Sequence, residues 1–142
     1  VKDLIKRDVI RTFPESDFFV KADNTSEMLF SLLKAYANFD KEIGYTQGMN
    51  YLAATLIYHM NLQKLEKEYH VIDNELESDA FWVMVYILKK KGWDEVYRDG
   101  TPGLVKKLAE LERRIAIEVP RLSPILDEMT INACLSQCFL TI

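Results

Sequence analysis

Two polar side chains stand where packing does not ask for them, Arg11 and Gln47. Gln47 lies in Ile43-Gly44-Tyr45-Thr46-Gln47-Gly48-Met49-Asn50-Tyr51-Leu52, a polar stretch bracketed by glycines that runs into an apolar helical pattern. Glycine reaches backbone angles that other residues resist and lets a second chain approach closely. The amide therefore sits at or just before a helix N-terminus, where unpaired N–H groups and the positive dipole end favour phosphate-like partners. Arg11 follows Asp8 by three residues on a helical pattern, close enough for the two to touch. Each residue also has a plain reading. Arg11 reads as half of a solvent-facing ion pair worth roughly a few tenths of a kcal/mol, and Gln47 as a helix-start residue bonded to nearby backbone.

Other chemistries find little support. His59 and His70 have no cysteine nearby, and Cys134 with Cys138 would supply only half of a zinc site's usual ligands, so no metal site is expected and the cysteines read as core. There is no G-x-S-x-G elbow and no G-x-x-x-x-G-K-[ST] loop, so neither nucleophilic catalysis nor nucleotide binding by this chain alone is expected. The net charge of −4 leaves no basic footprint, which argues against nucleic acid. No apolar run is long enough to span or insert into a membrane, and the charged first ten residues do not read as a signal peptide. Two cysteines four apart make no disulfide framework, so a reduced cytoplasmic setting is expected.

The elements that must position Arg11 and Gln47 all read as helices. Leu4, Ile5, Val9 and Ile10 form one stripe that Phe13-Pro14 ends. Glu15 to Asp23 reads as a loop. Asn24 and Glu27 resemble a capping box ahead of Met28, Leu29, Leu32, Leu33 and Tyr36, in a helix ending near Asp40. Met49, Leu52, Ala53, Leu56, Ile57 and Met60 predict a helix over about 47–60. An exposed, charged, partly helical insertion or mobile connection is expected at about 61–78. Ser78 caps a helix with Phe81, Trp82, Val85 and Leu88 on its apolar face, and Lys89-Lys90-Lys91 with Gly92 read as its solvated end. Thr101-Pro102 opens a helix through Leu104, Val105, Leu108, Leu111 and Ile115. Leu122, Ile125, Leu126 and Met129 predict a short helix from Pro120 or Pro124, and Ile131, Leu135, Cys138, Phe139 and Ile142 a last one. With 142 residues the chain makes one domain, large enough for a core. The expected fold is all-α, an irregular array of about six to eight helices with no sheet. The chain opens inside a charged helical pattern at Val1 and stops at Ile142 with an apolar face unpaired, so a piece of a larger protein is expected.

At these residues the sequence resembles the TBC domain of Rab GTPase-activating proteins. That family carries I-x-x-D-x-x-R followed in many members by threonine-phenylalanine-proline, and here stand Ile5, Asp8, Arg11, Thr12, Phe13 and Pro14. It also carries Y-x-Q-G-M, matched by Tyr45, Gln47, Gly48 and Met49. Leu33-Lys34-Ala35-Tyr36-Ala37 and Phe81-Trp82 are similar too, so the likeness covers essentially the whole chain. One departure is Ser136-Gln137-Cys138-Phe139, where many members read S-Q-W-F; another is that the family's domain continues further, so 1–142 is expected to be its N-terminal and middle part.

The resemblance implies a GTPase-activating protein acting on a Rab-type small GTPase in its GTP form. GTP and Mg²⁺ would belong to that partner, so no cofactor is expected here. Phosphoryl transfer is catalysed by positioning and electrostatics, and an arginine supplied in trans is worth about 10³–10⁵ in rate, or about 4–7 kcal/mol. The resemblance makes Arg11 the arginine finger, whose planar charged fork can meet two oxygens. It makes Gln47 the glutamine finger, an uncharged donor and acceptor that orients the attacking water. Asp8 would preorganise Arg11, Tyr45 would wall the site and place Gln47, Gly48 would let the partner approach, and Ile5 and Met49 would support both. Recruitment to endomembranes would come through the partner. The alternative is a catalytically silent TBC-like scaffold that binds a GTPase or another protein; loss of a finger is its usual sign, and both fingers are present.

Overall fold

The computed structural model describes residues 1–16, 18–19, 24–66, 74–126, 130 and 135–140. Among them the chain is helical with no strand: α1 (Lys2–Ile10), α2 (Thr25–Phe39), α3 (Met49–Glu66), α4 (Asn74–Val85), a π-helical turn (Tyr86–Lys90), a 3₁₀ turn (Trp93–Val96), α5 (Pro102–Glu118) and α6 (Ser136–Leu140). The all-α expectation holds.

The core forms where the apolar stripes of α1, α2, α3 and α4 meet. On α2, Met28, Leu29, Leu32, Leu33 and Tyr36 are all buried, as their three- and four-residue spacing requires. On α3, Met49, Ala53 and Ile57 are fully buried, while Leu52, Leu56 and Met60 pack against the core from its margin. α3 touches α1, α2 and α4, so it crosses the middle of the molecule and carries apolar residues over most of its circumference.

Several boundaries and faces differ from the sequence expectations. α3 runs to Glu66 and α4 starts at Asn74, so most of the charged connection expected at about 61–78 is helix. Asn61 and Leu76, both buried, anchor the turns that the charged residues around them made look solvent-borne; residues 67–73 lie outside the described set. On α1, Ile5 is buried but Ile10 is 81% exposed. Five residues turn a helix by about 140° beyond one full revolution, which carries Ile10 off the stripe. On α4 the inward face is Leu76, Ala80 and Met84, continued by Leu88. Trp82 is 58% exposed because it lies two positions, about 200° of rotation, from Ala80.

Asn24 and Thr101 occupy the N-cap positions of α2 and α5, yet neither side chain makes a capping bond. Where a short helix is expected from Pro120 or Pro124, residues 120–125 form turns with Leu122 and Ile125 exposed, and 127–129 lie outside the described residues. Cys138 is exposed rather than core. Met129, Ile131, Cys134, Ile142 and His70 lie outside the described residues.

Candidate functional site

α1 delivers Asp8 and Arg11 to one end of α3. Asp8 is 0% exposed, an unusual place for a carboxylate, and must be compensated there. Its Oδ1 lies 2.7 Å from Arg11 Nη2. No N–H of the guanidinium lines up with that oxygen, so the link is a charge contact rather than a directed hydrogen bond. The Arg11 side chain stays 46% exposed, with its N–H donors not spent on Asp8. Asp8 Oδ2 accepts a 2.7 Å hydrogen bond from the Tyr45 hydroxyl. Burial, then the hydrogen bond to Asp8 and the charge of Asp8, push the Tyr45 phenol well above the usual tyrosine range. The phenol therefore keeps its proton and donates.

A second chain of bonds closes the circuit. The Asp8 carbonyl accepts from Thr12 Oγ1 at 2.6 Å, Thr12 Oγ1 accepts from Asn50 Nδ2 at 2.8 Å, and Asn50 Oδ1 accepts from the Gly48 N–H at 3.0 Å. Arg11 is bonded covalently to Thr12, and Gln47 to Gly48. Both side chains thus project from one buried, mutually bonded frame, and Gln47 is itself exposed. Phe13 follows with φ +46, a left-handed angle that costs a non-glycine residue about 1–3 kcal/mol. Its ring holds the turn by packing edge-on against Tyr51 at 5.4 Å.

The loop before Gln47 is built around Asp40. Its Oδ1 accepts from the N–H groups of Glu42 (3.1 Å) and Ile43 (3.3 Å), and its carbonyl from that of Gly44 (2.8 Å). Gly44, with φ +66, turns the chain back toward α3. Lys89 Nζ sits 2.5 Å from Asp40 Oδ2 and 3.3 Å from Asp94 Oδ2. Lys89 is therefore a paired cation, not the solvated helix end its triplet suggested.

One expectation for the site is corrected. Gly48 leaves no space for a partner: it is buried, with φ +107, and a Cβ there would lie 2.7 Å from the Leu140 carbonyl oxygen. Its missing side chain is used by α6 of this same chain. Ile5, Asp8, Tyr45 and Met49 are likewise buried. The sequence reading passed over the structural part of Thr12, Asn50, Asp40 and Lys89. A buried-type signal was present for Asn50, an amide on the apolar side of α3's first turn; nothing marked Lys89.

Two predictions arise here. Tyr45→Phe removes the directed donor to a buried carboxylate, and such bonds contribute about 1.5–3 kcal/mol; urea unfolding should report a loss of that size with the secondary structure by circular dichroism retained. The second concerns pH. Burial alone would raise the Asp40 carboxyl, but its hydrogen bonds to Lys89 and the Ile43 N–H, with the Lys89 charge, hold it below 3.8. A depressed carboxyl contributes stability above its unfolded value and loses it as pH falls through the folded one. Thermal stability should therefore drop as the pH is taken below about 4, and Asp40→Asn should flatten that limb of the profile.

Comparison with known proteins places these residues in context. The family described as Rab-GTPase-TBC domain matches residues 2–142. The chain is 35% identical over 140 residues to the GTPase-activating protein GYP5 of Eremothecium gossypii, covering 97% of this chain and 14% of that protein. It is 29% identical over 141 residues to the Rab GTPase-activating protein eat-17 of Caenorhabditis elegans, covering 98% and 14%. GYP5 of Saccharomyces cerevisiae is 32% identical over 118 residues, covering 83% and 11%. The chain thus spans about one seventh of the length of the first of these relatives.

Proposed function

The chain belongs to the Rab-GTPase-TBC domain family, and from that premise we propose that it accelerates GTP hydrolysis by a Rab-type small GTPase in its GTP form. Arg11 supplies a cation to the oxygens on which charge develops, and Gln47 orients the attacking water. GTP and Mg²⁺ come with the partner. The observation that carries this reading is the buried Asp8 carboxylate, which grips Arg11 with one oxygen and the Tyr45 hydroxyl of the glutamine loop with the other. The Arg11 side chain and the backbone that carries Gln47 are thereby held on rigid elements before any partner arrives, which supports stabilisation of a transition state by positioned groups. The three relatives named above are GTPase or Rab GTPase activators by name, which supports the same class of activity.

Among the described residues no helix is long and apolar enough to cross a membrane. We place the protein in the cytoplasm, brought to endomembranes by its partner. The test is single-turnover hydrolysis by a panel of GTP-loaded Rab proteins with increasing amounts of this chain. Acceleration of at least one member is expected. Binding without acceleration by the folded chain would replace this reading with the silent scaffold.

A further inference from the structure

We propose that Lys89 is a positioning residue for Gln47, acting through the loop that carries it; the inference rests on reading Gln47 as the glutamine finger. The loop leaves α2 at Asp40, whose carboxylate and carbonyl collect the N–H groups of Glu42, Ile43 and Gly44. Asp40 is 6% exposed and also accepts from the Tyr36 hydroxyl at 3.1 Å. The cation set against this buried carboxylate is Lys89, at 2.5 Å. Lys89 does not sit at a regular helix end. It lies in the π-helical turn Tyr86–Lys90, whose wider ring changes the angle at which side chains leave the axis compared with α4 before it.

Downstream of Lys89 the same segment holds the loop twice more. Arg98 pairs with Glu42 through its two terminal nitrogens, Nη1 and Nη2, and the Thr46 hydroxyl donates to the Tyr97 carbonyl at 3.2 Å. Asp94 links the parts, 3.3 Å from Lys89 and 3.5 Å from Arg98. The stretch 89–98 therefore fixes the loop at 40, at 42 and at 46, the residue before Gln47. The frame holds the loop at Tyr45 through Asp8 and at Gly48 through Asn50, and the Lys89 segment holds it at 40, 42 and 46.

Removing the Lys89 charge leaves Asp40 buried without its counter-ion, and the carboxylate regains solvation only by opening the turn it organises. Misplacing a catalytic group by about 1 Å can cost about 10²-fold in rate, so a partial opening is visible in turnover before it is visible in folding.

The experiment measures maximal single-turnover rate and half-saturating concentration with a responsive Rab protein, for wild type, Lys89→Met, Lys89→Arg and Lys89→Gln, each also in a Gln47→Ala background. Circular dichroism melts set a working temperature at which all are folded. Lys89→Met is expected to lower the maximal rate about tenfold, with the half-saturating concentration within about twofold, because the loss is one of positioning and not of binding. Lys89→Arg should restore most of the rate. In the Gln47→Ala background Lys89→Met should cost nothing further. If Lys89→Met does not fold, Lys89→Gln, which keeps a donor without the charge, carries the same expectation. A rate unchanged in Lys89→Met or Lys89→Gln while Gln47→Ala is impaired overturns the inference, as does an undiminished further loss in the Gln47→Ala background. Should Gln47→Ala itself hydrolyse at the wild-type rate, the finger reading fails instead, and the two failures are told apart.

Discussion

Replacing Arg11 by alanine is expected to lower the maximal stimulated hydrolysis rate by about 10³-fold or more, the scale of an arginine finger supplied in trans. The geometry says why so much rests on one side chain. Arg11 is half-exposed, and its charge contact with Asp8 fixes where the guanidinium stands without using its directed donors. Among the described residues of the frame, the other partners, Tyr45, Thr12 and Asn50, are neutral. Lysine at position 11 keeps the charge but not the planar fork, so Arg11→Lys should recover only part of the loss. The alanine variant also leaves a buried carboxylate held by a tyrosine alone, which costs stability. Unfolding must therefore be measured alongside, and the rate loss must persist well below the melting temperature. A stimulated rate unaltered by Arg11→Ala would end the finger assignment.

Gln47→Ala is expected to cost about 10²-fold in the same rate, the order found when a reacting group loses its positioning. Here the prediction for folding is the opposite one. Gln47 is exposed and none of the bonds of the frame runs through its side chain, so stability should change by less than about 0.5 kcal/mol. Gln47→Glu sharpens the test. The shape is nearly kept, but an ionised carboxylate only accepts hydrogen bonds and brings negative charge toward a phosphate. It should be at least as damaging as alanine. On the proposed mechanism both side chains serve one transition state, so the double variant should lose less than the product of the single losses. Simple multiplication of the two effects would mean that they act independently.

Much of this site could be read in the chain because its signals are local. Asp8 and Arg11 announce their contact through i,i+3 spacing, and Gly44 and Gly48 announce a loop with unusual backbone angles, which the φ values of +66 and +107 bear out. The parts that could not be read are contacts between distant segments. Asp40 looked like the end of a helix and Lys89 like the tail of another; only the packing of α2 against α4 makes them a pair. The same holds for Thr12 and Asn50, polar residues that sequence pattern places at margins and tertiary structure buries. Where periodicity misled, the cause was angular. Ile10 and Trp82 are apolar residues close in number to a stripe but far from it around the helix axis, and an apolar residue is not obliged to be inside.

The contact between Gly48 and Leu140 ties substitution at one position to the identity of others. Leu140 offers its carbonyl to the space a Cβ would need, and Tyr97 fills the remaining side with its ring 3.4 Å from the same point. A larger residue at 48 can be accommodated only if the backbone at 140 retreats, and that retreat breaks the 3.4 Å bond from the Tyr97 hydroxyl to the Leu140 carbonyl. Positions 48, 97 and 140 are therefore epistatic. The geometry of the loop that carries Gln47 is thereby tied to the placement of the last described helix, and a substitution at 140 or 97 is expected to change what position 48 tolerates.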